Sequence, residues 1–231
     1  MKKKYFKNLE VLKKKIESYK HSSTDNIKKL LMIRKKLQKK ETMRSKLCSI
    51  EKLNQWKYTN GKIKHASNQF FTVQGVQVTN AKREVPNWEQ VILNQPHGGM
   101  LALLVRETKK YGIEFLLHLR SEPGDKNIKF CPTFSATQSN MNQAHGGKKT
   151  DLFDMFVKHK DCSIIAKCAH NEEGARFWQK VNENCLFFLN DPNNTKVKKD
   201  KFVWANIWQI KKLSLENCLI NPFVKTILFM I

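Results

Sequence analysis

The residues best equipped for chemistry lie in three short segments. GKIKHASNQFF (61–71) sets His65 and Ser67 two apart before an apolar pair, on a predicted short strand edge. HLRSEPGD (118–125) ends a predicted strand in a charged cluster and a Pro-Gly turn. Arg120 there is a natural anion ligand, because a guanidinium grips phosphate through two bonds. CPTFSATQSNMNQAHGG (131–147) supplies Thr133, Ser135, Thr137, Gln138, Ser139, Asn140 and His145, closed by two glycines. Amides and hydroxyls grouped this way suit a ligand with many hydroxyls, such as a sugar. Each segment taken alone also fits a polar turn.

Several familiar chemistries are missing. There is no GxxxxGK[ST] and no GxGxxG, so phosphate binding by a P-loop or Rossmann turn is unsupported. GxSxG and HExxH are absent too. HGG occurs twice, at 97–99 and 145–147, and a histidine before a flexible turn is often structural. The six cysteines (48, 131, 162, 168, 185, 218) contain no CxxC pair and fit no common zinc spacing. They read as reduced, mostly buried thiols of a cytoplasmic protein.

These segments need a framework, and composition provides for one. The 231 residues are 40% apolar and 10% aromatic, enough for a real core in spite of 27% charged residues. The formal net charge is +23, and its placement is uneven. Residues 1–50 hold 17 Lys/Arg against 4 Asp/Glu. Such an arm can serve a nucleic-acid binder, but it equally describes a solvated helical face. No RNP motif, zinc finger or helix-turn-helix accompanies it, so nucleic acid is not the expected partner. MKKKYFKNLEVLKKK is followed by no apolar stretch or cleavage site, and ILFMI (227–231) is far too short to span a bilayer. A soluble, cytoplasmic protein is expected.

Leu9, Leu12, Ile16 and Tyr19, then Ile27, Leu30, Leu31 and Leu37, fall at helical spacing. Two amphipathic helices are predicted, separated by HSSTDN (21–26) with a cap at Asp25, their apolar stripes packing on the main body or on a partner. Short, interrupted apolar faces argue against membrane-surface binding. Strand-like segments follow: FFTVQGVQV (70–78), WEQVILNQP (88–96), and MLALLVRET with IEFLLHLR as a hairpin across the Gly-containing turn at 109–112. Around 150–159 a short helix is predicted, then strand 163–169, helix 172–183, strand 185–190, a loop over 191–201, and a helix within 202–215. The 223–231 segment fits either a strand or a helix. Strands and helices mixed without βαβ repetition predict an α+β fold.

The blocks taken in order resemble a known family. GKIKHASNQFFTVQGVQV (61–78) resembles the G-x-I-x-H-x-S-G-x-FF-x-V-x-GV block of the NDP-hexose 2,3-dehydratases of deoxysugar biosynthesis. WEQVILNQPHGGMLALLVRE is similar to their W-x-QP-I-I-x-QPE-x-G-I-L block. LLHLRSEPGD is similar to L-x-QAK-x-EPGN, and CPTFSATQSNMNQAHGG to SPT-x-QATRSNY-x-x-x-HGG. HNEEGARFWQKVNEN resembles QSEQG-x-RF-x-x-KRNRN, and FVWANIWQIKKL and NPFVKTIL resemble the terminal blocks. These blocks, in order across roughly 56–229, are specific where one is not.

The resemblance implies a Nudix-like mixed sheet flanked by helices (51–231), without the Nudix metal-binding box, behind an N-terminal basic helical arm (1–50). It implies an NDP-4-keto-6-deoxyhexose substrate, dTDP-linked, losing water across C2 and C3 with no cofactor or metal. Family members carry two such units in tandem, which implies a homodimer here. By match, His65 is the first candidate acid or base and His145 the second. Glu122 either orients a hydroxyl or serves as a base. Arg120 binds the diphosphate, and Ser67, Thr133, Gln138, Ser139 and Asn140 bind the sugar. Trp56 or Trp88 stacks on the nucleobase or simply packs in the core. Two departures matter. Arg-Ser-Asn-Tyr becomes Gln138-Ser139-Asn140-Met141, and KRNRN becomes Lys180-Val181-Asn182-Glu183-Asn184. A different substrate, other catalytic groups, or a non-catalytic NDP-sugar-binding unit pairing with another chain would each account for them.

Overall fold

The computed structural model describes residues 2–19, 26–191 and 200–231. The Asp25 cap and the centre of the 191–201 loop fall outside them. Helices α1 (Lys2–Ser18) and α2 (Lys28–Lys40) form where the apolar spacing predicts. Their stripes pack on the main body: Leu12 and Leu30 are buried in its core, with Leu9, Ile16, Ile27, Leu31 and Leu37 against it. Polar contacts pin α2, because Arg34 Nε donates to the Ile128 carbonyl and the Ile128 amide donates to Gln38 Oε1, each at 2.7 Å.

Two sheets follow. The smaller is an antiparallel meander of β1 (Trp56–Thr59), β2 (Lys62–His65), β3 (Thr72–Val78) and β4 (Trp88–Asn94). Its first hairpin turns on Asn60-Gly61, both with positive φ (51° and 73°), the backbone that Asn-Gly tolerates best.

The larger sheet has seven strands: β5 (Gly99–Thr108), β6 (Gly112–Arg120), β7 (Lys129–Cys131), β8 (Phe134–Thr137), β9 (Cys162–Asn171), β10 (Val181–Leu189) and β11 (Phe202–Asn206). Its path is β11-β6-β5-β10-β9, with β5 and β10 parallel and every other pair antiparallel. The predicted β5–β6 hairpin is present, with Leu104 opposite Leu116. Beyond that pair the two strands part, β7 pairing with β6 and β8 with β5.

Alternation along these strands builds two cores. Leu103, Val105, Phe115, Leu117 and Leu186 face α1, α2, α5 (Ile207–Leu215) and α6 (Pro222–Leu228). Leu104, Leu116, Phe134, Cys185 and Phe187 face Met155 and Phe156 of α4 (Phe153–Val157). Each such side chain contributes about 1.5–3 kcal/mol by leaving water. The molecule is α+β, a mixed sheet with helices on both faces. Among the described residues no helix is long and apolar enough to cross a membrane.

Three sequence expectations are resolved or corrected. Residues 223–231 are mainly helical, because Asn221 caps the Phe223 amide at 3.0 Å and Pro222 opens the helix at a position needing no N–H. The 172–183 segment is not a helix but a turn running into β10. Tertiary pairing overrides its helical spacing: Phe177 bridges to Leu93 of β4, with Trp178 N donating to Leu93 O and Leu93 N to Arg176 O, both 2.8 Å. That strip ties the small sheet to the large one. Finally, only Cys131, Cys162 and Cys185 are buried, while Cys48, Cys168 and Cys218 are exposed.

Candidate active site

The first HGG is a packing device as well as a turn. β5 begins wedged between β8 and β10, and a Cβ on Gly98 would stand 1.7 Å from the Val181 carbonyl oxygen. One on Gly99 would stand 2.4 Å from that of Ala136. Only glycine fits at either position. The Gly98 carbonyl accepts from Gln138 N at 3.0 Å, and the Gly99 amide donates to Asn182 Oδ1 at 2.9 Å. His97 therefore leaves a fixed strand end, next to the start of α3 (Gln138–Met141).

Three segments meet there around a cleft of about 420 Å³. One wall is the turn between β2 and β3, with Asn68, Gln69 and Phe70. A second is Gln95, Pro96 and His97, between β4 and β5. The third is α3 and the turn after it, with Gln138, Ser139, Asn142 and Ala144. Amides, a hydroxyl, an imidazole and one aromatic face make a lining suited to a hydroxyl-rich ligand of sugar size.

His65 stands just behind the first wall. Its ring packs edge-on against Phe70 (4.7 Å) and Trp56 (5.5 Å). Its Nδ1 accepts the Ser67 amide at 3.1 Å and lies 2.8 Å from Ser67 Oγ. An Nδ1 that accepts an N–H leaves the neutral ring's proton on Nε2. His145 repeats the device, its Nδ1 accepting the Gly147 amide at 2.8 Å, but it is exposed beyond Ala144. Thr137 caps α3 through the Asn140 amide (3.3 Å) and contacts Ser139 Oγ at 2.9 Å.

Of the residues expected from sequence, the fold brings Gln138 and Ser139 into the cleft, with His65, Ser67, Asn140 and His145 on the segments that form its walls. Others stand apart. Arg120 and Glu122 pair with each other at 2.6 Å at the end of β6, and Arg120 Nε is buried with no hydrogen-bond partner among the described residues. Burial and then the Arg120 charge push the neighbouring His118 imidazole down to about 4. Thr133 is fully buried where β5 and β6 part, its hydroxyl committed to the backbone. Trp88 opens β4, about 20 Å of strand away from Gln95. Trp56, against His65, is the nearer tryptophan. Among the described residues no three His, Cys, Asp or Glu side chains gather as a metal-binding group.

Sequence reasoning passed over His97, Gln95 and Asn142. The first HGG was the available signal, since two consecutive glycines before an apolar strand mark close backbone approach.

A family model described as NDP-hexose 2,3-dehydratase matches residues 27–231. A dTDP-4-dehydro-6-deoxy-alpha-D-glucopyranose 2,3-dehydratase of Saccharopolyspora spinosa is 30% identical over 181 residues, 77% of this chain and 36% of its own. Proteins of the same description from Amycolatopsis orientalis (30% over 184 residues, 76% and 38%) and Streptomyces violaceoruber (28% over 172 residues, 73% and 38%) are similar as well. The chain spans a little over a third of the length of these curated relatives. With nearly all of its described fold inside the matched region, this chain belongs to the NDP-hexose 2,3-dehydratase family.

Proposed function

We propose that the chain is a nucleotide-sugar 2,3-dehydratase unit acting on an NDP-4-keto-6-deoxyhexose, dTDP-linked as in the names of its relatives. The observation that carries this reading is the cleft, where amide, hydroxyl, imidazole and aromatic groups from three separate segments converge. The C4 ketone acidifies the C3 hydrogen by spreading the charge left behind onto oxygen, so a positioned base removes it. The enolate then expels the C2 hydroxyl, which leaves as water when protonated. The resulting enol tautomerises to a 3,4-diketo sugar. Amide and hydroxyl donors near the C4 oxygen stabilise the enolate. His65, just behind the first wall with Nε2 carrying the proton, and His145 are the acid–base residues that the family match offers. Arg120 is the diphosphate ligand if the nucleotide extends out of the cleft towards β6.

In this reading the divided mixed sheet is Nudix-like and a second copy of the chain supplies the family's other unit, so light scattering should give twice the chain mass. Six free cysteines fit a reducing, cytoplasmic setting. The test of activity is incubation with dTDP-4-keto-6-deoxyglucose in D₂O, followed by NMR. Deuterium at C3 of recovered substrate, or loss of water with deuterium at C2 of the diketo product, supports the dehydratase; a protein that does neither overturns it.

A second reading has its own observation. Met141, where the family pattern has tyrosine, packs against the β8–α4 core, so no phenol is available at that position. Binding without C3 exchange would make the chain a pocket-bearing half of a heteromeric enzyme.

A further inference from the structure

We propose that His97 is a further catalytic residue of this cleft, and that the buried chain Lys180–Glu172–Asn182 is what positions it. The inference rests on the dehydratase reading above. His97 is the histidine among the residues lining the cleft, whereas His65 lies behind Phe70 and His145 turns back on Gly147. Those two rings each have Nδ1 occupied by a backbone N–H. Neither ring nitrogen of His97 has a hydrogen-bond partner among the described residues, which leaves both for a ligand. Ser139, Gln138 and Asn68, on the facing walls, are placed to hold the hydroxyls of a sugar ring beside it.

A catalytic imidazole needs a stiff mount. Here the mount begins one residue later, at Gly98 and Gly99, where the backbone has no room for a Cβ. Asn182 takes the Gly99 amide on Oδ1 and donates its own amide to Glu172 Oε2. Lys180 stands 3.9 Å from that carboxylate and 4.4 Å from the Phe177 ring, while its carbonyl accepts the Glu172 amide at 2.8 Å. Asn182 and Lys180 are 6% and 7% exposed. Leaving any of these polar groups unpaired at such depth is costly, so the set specifies one arrangement. Phe177 also bridges to Leu93, so the same strip fixes β4, which leads into the Gln95–His97 wall.

The step balances on one residue. A neutral His97 nitrogen takes the C3 proton, and the C3–H electron pair forms the enolate. As the C2–O bond breaks, the imidazolium returns that proton to the leaving hydroxyl. Water departs and His97 is neutral again.

The test uses the full chain with dTDP-4-keto-6-deoxyglucose as substrate and dTDP as a binding probe. His97→Gln should bind dTDP within about twofold of wild type while turnover and C3 exchange fall about 100-fold, with partial recovery on adding imidazole to the buffer. Asn182→Ala should lower kcat per dTDP-binding site about tenfold at unchanged KM, and imidazole should not restore it. An active wild type whose His97→Gln variant is equally active overturns this proposal and leaves the dehydratase reading intact. Unchanged kcat per site in Asn182→Ala overturns the positioning role. A wild type that neither exchanges C3 hydrogen nor loses water overturns both the reading and the proposal.

Discussion

The hydroxyl of Thr133 donates to the Leu116 carbonyl and accepts the Leu104 amide at 2.9 Å, and the large sheet divides at that point. Leu104 and Leu116 still face each other across β5 and β6. Two residues further on, at Ala102 and His118, β8 follows one strand and β7 the other. A side chain thus replaces the backbone partners that the parting strands would lack. The fork sends β8 towards Gly99, which is what places α3 on the cleft.

Removing that hydroxyl should cost stability before it costs binding. Thr133→Val leaves a buried N–H and C=O unpaired, worth about 1–3 kcal/mol. Urea denaturation should show a midpoint lowered accordingly. The protein still folded should bind dTDP as the parent does, whereas a substrate-binding Thr133 would lose affinity.

Two glycine replacements should differ sharply. Gly98→Ala forces a Cβ into the Val181 carbonyl and should lower stability by about 3 kcal/mol. At Gly75, on β3, nothing lies within 4 Å of the added carbon, so Gly75→Ala should be neutral or slightly stabilising. Thermal melts of the two variants decide it.

His118 should make the protein acid-sensitive. Its ring stacks on Phe202 at 4.4 Å, and burial, aided by Arg120, lowers it from 6.5 to about 4. The unfolded chain takes up this proton below about pH 6.5 and the folded chain only near 4. Stability present above pH 6.5 is therefore lost as pH falls towards 4, by about 3 kcal/mol at the limit. His118→Gln should flatten that stretch of a stability–pH curve.

His65→Ala should lower turnover at least about tenfold while leaving dTDP affinity largely intact. Steady-state kinetics with the 4-keto sugar check this. Turnover equal to wild type would remove His65 from the chemistry and leave it as the brace between Trp56 and Phe70.

Much of this protein could be read along the chain. Helical spacing marked α1 and α2, and alternation with a Gly-bearing turn marked β5 and β6. The amides and hydroxyls of 131–147 and the ordered blocks pointed to the family that the comparison then showed. Periodicity carries this much because it reports which residues share a face, a local property of helix and strand.

It does not report which faces meet. Gly99 and Asn182 are 83 residues apart and share a hydrogen bond, and 172–183 abandons its helical spacing because Leu93 offers backbone partners. His97, passed over in the sequence, lines the cleft, while Thr133, chosen there, disappears into the sheet. Composition and spacing thus determined the elements, and the ordered blocks pointed to the family; neither located the cleft. The choice of side chains that reach it belonged to the tertiary structure, because burial and hydrogen-bond satisfaction are settled only when distant segments pack together.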